Sequence, residues 1–324
     1  MEKKTFLKIG FALLCAEIGF YVITFLYYGF VPPIIHGMFR FQDEIGTAVT
    51  TALGPFFFYG IMALIIWLFI RRIPEIPQGE KSWIPLSMLL VMYLMCQGLG
   101  YLLAMGGFYV QRAFQLGLIP FLENFFIIPA PVEHVDSTGI VHVADVFCTI
   151  IMAPVCEEFI FRKLLLDKLK PFGDTVAILF TAITFGLTHM NFQQFFFAAF
   201  TGLIFGYVAI RTGRLLYPIL LHFFFNTMSA VVMPLFSSID DMVPELGSLI
   251  GNGVYFGLMV IGSAMFFCIF KKIKLNKAPF RFTRPLGGAM LGNSGIILYL
   301  ILCVLLFVFN AALNVLTGYY DLRF

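Results

Sequence analysis

Charge is scarce in this 324-residue chain: Asp, Glu, Lys and Arg together make up only 12% of it. Soluble domains carry about 25%, so the chain lacks the polar residues to cover a water-facing surface. The net charge is also small, 21 basic against 18 acidic residues for +3, which leaves no basic footprint for nucleic acid. Cys15, Cys96, Cys148, Cys156, Cys268 and Cys303 show no CxxC or metal-ligand spacing and all lie in or beside apolar runs. They read as packing thiols and exclude a disulfide framework. No GxSxG occurs, and no intramembrane Ser or Asp is obviously paired with a His, so Ser-His-Asp chemistry has no support. No internal repeat is evident, and with it the inverted-repeat signature of many transporters is missing. Hydrophobic residues, by contrast, make up 60% of the chain, including 41 Phe and 15 Met, with a mean hydropathy of +0.93. One core cannot absorb that excess. The solvent is lipid, and the fold expected is an all-α, polytopic transmembrane bundle.

A helix crossing about 30 Å of hydrocarbon needs roughly 20 apolar residues. Stretches near 7–31, 47–70, 84–106, 143–166, 174–190, 194–210, 214–235, 249–270 and 296–317 qualify, giving eight or nine spans with the fifth and sixth short. The first follows Lys3, Lys4 and Lys8 but is too long for a signal peptide, carries Glu17 and lacks a small-x-small cleavage site, so it reads as a retained helix. A cytoplasmic N-terminus would leave only Arg40, Arg112 and Arg323 of the 21 basic residues outside, the asymmetry that the positive-inside rule describes. Residues 71–83 are a short inner linker. Residues 108–142 are a long outer loop whose first part, to Phe126, is apolar enough to lie in the interface, and whose second part, with Pro129, Pro131, Glu133 and Asp136, is turn-rich. His36, His134 and His142 fall in outer loops and are expected to be solvated.

An ionisable group within a span costs at least ~2.5–3.5 kcal/mol at the bilayer centre and is a functional hypothesis by default. These groups are concentrated in the middle of the chain. The fourth span holds Glu157, Glu158 and Arg162, the fifth His189, and the seventh His222 and Asn226. Glu158 and Arg162 are at i, i+4 in the order that favours an ion pair. Glu157, about 100° round the helix, is left free to face a cavity. His222 and Asn226, again i, i+4, present an imidazole and an amide together. At about 1.5 Å per residue the four groups lie ~14–22 Å from the inner side, near one level. Asn191, Gln193 and Gln194 at the turn after His189 suggest that water reaches them. Glu17, the other acidic group deep in an apolar run, reads as a helix-contact residue. The Phe runs at 195–197 and 223–225 read as packing or lipid-facing, with some able to wall a substrate groove.

A carboxylate beside an imidazole in a poorly solvated pocket can deprotonate water, and an imidazole with an amide can hold the oxyanion that forms when water attacks a peptide carbonyl. Alternatively, Glu157, His189 and His222 supply the three O and N ligands of a catalytic zinc. The residues leave the metal-free and zinc routes equally open. A second class of reading is a non-proteolytic membrane scaffold, immunity factor or transporter, in which the same groups glue helices together.

Glu157-Glu158-x-x-x-Arg162, Phe185-x-x-x-His189 and His222-x-x-x-Asn226 resemble the three motifs of the CPBP family, the CAAX prenyl proteases and bacteriocin-processing (Abi) intramembrane endopeptidases. The resemblance covers residues 143–235 and implies a helical membrane protease core there, with N-terminal helices and an outer interfacial loop in 1–142 and C-terminal helices in 236–324. It implies that Glu157 and His189 position and activate water, that His222 and Asn226 stabilise the oxyanion, and that Glu158 with Arg162 supports the fourth helix. The partners implied are the lipid bilayer and a peptide or membrane-anchored protein tail. The Lys-rich N-terminus and compact loops weigh toward a bacterial cell membrane and the prokaryotic branch of the family, associated with peptide maturation, bacteriocin self-immunity and surface-protein processing.

Overall fold

A computed structural model describes residues 2–38, 43–75, 81–127, 139–240, 242–270, 273–278, 288 and 292–318. Among them are α1 (Glu2–Met38), α2 (Asp43–Ile70), α3 (Leu86–Leu122), α4 (Gly139–Phe172), α5 (Asp174–Leu187), α6 (Phe192–Thr212), α7 (Leu216–Asp240), α8 (Leu246–Phe270) and α9 (Ser294–Leu316), with no strand. Eight of these are long and apolar enough to cross a membrane; α5, at 14 residues, is the short one. The chain is a multi-pass integral membrane protein. An all-helical answer follows from the solvent, because a helix satisfies its own backbone hydrogen bonds where no water can.

The boundaries differ from the sequence reading in physically informative ways. α3 does not stop near 106 but continues to Leu122, so the first part of the expected outer loop is helix. Its polar residues Gln111, Arg112 and Gln115 are buried inside the bundle. α1 and α3, at 37 residues each, are ~55 Å long, far more than a bilayer requires, and the hydropathy signal marks only the part that lipid needs. His36 lies in the last turn of α1 and His142 in the first turns of α4, so neither is a loop residue. α6 has 21 residues and is not short. His134 and the turn-rich stretch around it lie outside the described residues, as do Arg40, Lys271, Lys272, Arg281, Arg284 and Arg323 of the charge count.

The bundle packs α1 on α2 and α9, α3 on α6 and α8, α5 on α6, and α2 on α4. Close approach uses small residues, as is usual between helices in lipid: a Cβ at Gly98 of α3 would lie 2.8 Å from the Cα of Gly262 in α8. Two apolar cores result. One gathers Phe6, Leu13, Ile66, Phe161, Phe185 and Tyr299; the other gathers Met92, Cys96, Phe205, Val208, Tyr217 and Leu221. Outward faces are apolar as well, with Phe25, Phe267 and Val304 all exposed, as a lipid-facing surface demands. All six cysteines are free.

Polar contacts tie many helix ends at one side of the bundle. Asn293 Nδ2 donates to the Lys3 carbonyl (2.8 Å), and Lys168 pairs with Glu75 (2.8 Å). Ser82 bonds the Arg211 and Thr212 carbonyls (2.8 and 2.9 Å). Asp174 N–H bonds the Asn276 carbonyl (3.1 Å). The start of α1, the ends of α2, α4, α6 and α8, and the starts of α3, α5 and α9 therefore share this side.

Candidate active site

The polar groups expected from the sequence are assembled at the seam between the two cores. Glu157, His189, His222 and Asn226 all line one cavity of about 390 Å³, walled further by Tyr59, Phe197, Thr201 and Phe225. The Phe runs thus contribute walls: Phe197 and Phe225 stack at 5.6 Å.

His222 is the hub. Its Nδ1 lies 3.2 Å from Glu158 Oε1, while Nε2 faces Glu157 Oε2 at 3.9 Å. Glu158 is fully buried and its other oxygen accepts from Arg162 Nε at 2.7 Å, so the i, i+4 ion pair forms as its spacing predicts. With Arg162 on its other oxygen, Glu158 offers His222 an acceptor, so Nδ1 carries a hydrogen and donates it, a role inferred from the partner as is general for histidine. The adjacent glutamates do leave the helix in different directions, yet both reach the same imidazole from opposite sides. Helical-wheel reasoning separates Glu157 from Glu158 but says nothing of a ring on another helix between them.

Arg162 is packed between the two cores, its guanidinium carbon 5.3 Å from the Phe185 ring and 6.0 Å from that of Phe205. Among the described residues its Nη1 and Nη2 find no hydrogen-bond acceptor, so the aromatic faces and Glu158 are the groups that stabilise the charge. The same two rings clasp His222, at 5.8 and 5.3 Å. Phe185 also meets His189 edge-on at 5.1 Å. The phenylalanine of the second motif is thus a wall shared by both imidazoles and the arginine.

His189 lies just beyond the end of α5. Its Nδ1 is 2.9 Å from the Phe185 carbonyl, which leaves Nε2 available to the cavity. The turn that follows is held unusually firmly. Met190 has φ +53°, a conformation few side-chain-bearing residues adopt. Asn191 caps α6 by accepting from Gln194 N–H (2.8 Å) and donates to the His189 carbonyl (2.8 Å). Asn310 of α9 donates to the Met190 carbonyl (3.2 Å).

Prolines shape the helices that carry the remaining groups. In α4, residues Cys148–Met152 form a π turn in which the Ala153 N–H reaches back five residues to the Cys148 carbonyl. Pro154 follows and has no N–H to give. The Thr149 carbonyl therefore loses its donor in either register, and Asn226 Nδ2 takes it at 2.8 Å. The same arrangement recurs in α7: Met233 N–H bonds the Met228 carbonyl across a second π turn, ahead of Pro234. In α2, Pro55 deprives the Thr51 carbonyl of its α-helical donor, and Cys148 Sγ approaches that oxygen at 3.4 Å. Missing rungs in the helical ladders thus become sockets for side chains of neighbouring helices, and π turns are frequent at functional sites for this kind of reason.

Sequence reasoning missed Tyr59 of α2, whose hydroxyl donates to Glu157 Oε1 at 2.6 Å. A tyrosine in an apolar span has no motif to mark it. Glu17 is buried, with Oε2 lacking a hydrogen-bond partner among the described residues; it does not line the cavity.

The zinc reading requires three donors around one point. Among the described residues no three His, Cys, Asp or Glu side chains gather closely enough to hold a metal ion. The set Glu157, His189 and His222 is therefore not assembled as ligands. Both Nδ1 atoms are engaged, by Glu158 and by the Phe185 carbonyl, as they also would be in ligating histidines, and both Nε2 atoms are left to the cavity; the misfit is that the three donors do not converge on one point.

Residues 139–228 match the family model for type II CAAX prenyl endopeptidases, Rce1-like. The chain is 23% identical over 199 residues to the Bacillus subtilis (strain 168) protein described as "Putative membrane peptidase YdiL", covering 58% of this chain and 75% of that one. No solved structure matches significantly. The two matches support the CPBP family over the segment that carries the motifs, and support a peptidase of the membrane.

Proposed function

We propose that this protein is an intramembrane endopeptidase that hydrolyses a peptide bond of a membrane-associated peptide or protein tail, using a water activated by Glu157 and His189. The observation that carries the reading is the single cavity shared by Glu157, His189, His222 and Asn226. Glu157 Oε2 and His222 Nε2, at 3.9 Å, are too far apart for a direct hydrogen bond and leave room at the rim of the pair for a reacting oxygen.

The steps follow from what each group can exchange. Glu157 takes a proton as water adds to the substrate carbonyl, with His189 Nε2 orienting that water. The carbonyl oxygen becomes an oxyanion, met by Nε2–H of a doubly protonated His222 and by the second amide hydrogen of Asn226, the first being held by Thr149. Glu158 at Nδ1 and the oxyanion itself at Nε2 balance that imidazolium. Collapse of the tetrahedral species breaks the C–N bond, and Glu157 returns its proton to the leaving amine. No step requires a metal.

Thr149 and Ser229, both cavity-lining, are exposed on the outside of the bundle. Substrate would then arrive from the lipid between α4 and α7. The side of the bundle that carries Lys3, Arg71, Lys168, Arg211 and Arg214 is assigned to the cytoplasm by the positive-inside rule.

The test is a panel of prenylated peptides and leader peptides given to purified protein in vesicles, with Glu157→Ala and His189→Ala alongside. Cleavage of at least one peptide by the wild type, lost in both variants, is the expected result. Equal cleavage by all three proteins would remove the reading.

A further inference from the structure

Tyr59 lies in α2, eighty residues before the segment that matches the peptidase family model. Its hydroxyl is 2.6 Å from Glu157 Oε1, a short bond of the kind made to a charged acceptor. Cross-helix reach of this sort is not incidental. Pro55, one turn earlier on the same helix, lines the cavity with Tyr59, and the carbonyl it releases at Thr51 receives Cys148 of α4. Two contacts, about two turns apart, thus register α2 against α4 along the stretch that ends at the carboxylate.

The consequence lies in which oxygen of Glu157 is free. A glutamate carboxylate turns about its last bond between two nearly equivalent orientations, and an unrestrained one presents either oxygen to the cavity. Here Oε1 is committed to Tyr59, and Oε2 is the oxygen facing His222. We propose that Tyr59 is a positioning residue for the reaction: it pins one carboxylate oxygen of Glu157, so that the other is held where it must accept the proton from water. The site would then be completed by a helix outside the matched segment. This proposal rests on the peptidase reading above, and its test separates the two.

The substitution is Tyr59→Phe, which removes the hydroxyl and keeps the ring. Using whichever peptide the wild type cleaves, kcat is expected to fall by up to about 100-fold, the scale of a misplaced reacting group. KM should stay within about twofold, because the bond is made to the base and not to the substrate. Adding Tyr59→Phe to Glu157→Gln should cause no further loss. Replacement of Tyr59 by p-aminophenylalanine, which keeps an N–H donor at the same place, should restore part of kcat. A readout independent of turnover is the infrared carboxylate band of Glu157, identified by its disappearance in Glu157→Gln: it should shift in Tyr59→Phe.

An unshifted band, or wild-type kcat in Tyr59→Phe while Glu157→Gln is inactive, overturns the positioning role and leaves the peptidase reading intact. A lower thermal midpoint with kcat per folded molecule unchanged also overturns it, by assigning the hydroxyl to helix packing alone. If the wild type cleaves nothing, or Glu157→Gln cleaves normally, the peptidase reading falls and this role with it.

Discussion

The α5–α6 hairpin and the α4/α7 pair supply the two halves of the site by opposite physical means. In the hairpin, most of the chain is turned inward: 56% of the apolar window of α6 is buried, against 17% in α4 and in α7. The hairpin is close-packed at its axis. A Cβ on Gly186 would lie 2.7 Å from the Phe195 carbonyl oxygen and 2.9 Å from the Ala199 Cβ, and Thr181 and Thr184 fold their hydroxyls back onto their own helix at 2.7 and 2.9 Å. α4 and α7 instead lie at the lipid boundary, are interrupted by π turns, and reach one another through His222–Glu158 and Asn226–Thr149. The imidazole of His189 is thus mounted on a tightly packed support, while the carboxylates, His222 and Asn226 are mounted on a hydrogen-bonded one. Packing fixes the first, and directional polar bonds fix the second.

That contrast can be broken at chosen points. Glu157→Gln removes the base while leaving both supports in place. Peptide cleavage is expected to fall by ~10²- to 10⁴-fold, with an unchanged thermal midpoint in mild detergent. Arg162→Ala strikes the hydrogen-bonded half. It strands Glu158 as a buried anion, and a loss of ~3–5 kcal/mol is expected, read by reversible unfolding in mixed micelles. Replacing Glu158 and Arg162 together by Met should recover much of that stability without recovering activity, since His222 then has no anchor. Gly186→Val strikes the packed half by forcing α5 and α6 apart; ~1–3 kcal/mol is the expected cost. Its effect on activity should come through His189, so a substrate whose cleavage is limited by water activation should report it most strongly. Phe267→Ala, at an exposed position of α8, should change stability by no more than ~0.5 kcal/mol. A larger effect there would mean that α8 has a neighbour outside this chain.

The sequence made the packed and polar halves legible to different extents. Apolar runs in a chain with so little charge located the helices α1 to α9 of the described residues, because lipid imposes one rule on each of them. Where that rule is silent, boundaries slipped: α3 runs on to Leu122 because its buried Gln111, Arg112 and Gln115 are sheltered by protein, not by lipid. The i, i+4 pairing of Glu158 with Arg162 and of Phe185 with His189 was readable because it is local to one helix. That His222 stands between two sequence-adjacent glutamates was not, nor was the Tyr59 contact, which spans 98 positions. Pairings across helices depend on rotations that no single-helix periodicity encodes. Pro154, Pro234 and Pro55 were visible as letters, but which side chain would answer each vacated carbonyl required the neighbouring helices to be in place.

The π turn Cys148–Met152 of α4 is tied to α7 just ahead of the π turn Met228–Val232, by the amide of Asn226 on the carbonyl of Thr149. A helix that has lost a rung flexes there before it flexes elsewhere. Two staves notched at neighbouring heights are lashed there by a single amide, and the short stretch bearing the glutamates sits between that notch and a further π stretch of α4, Phe159–Leu166.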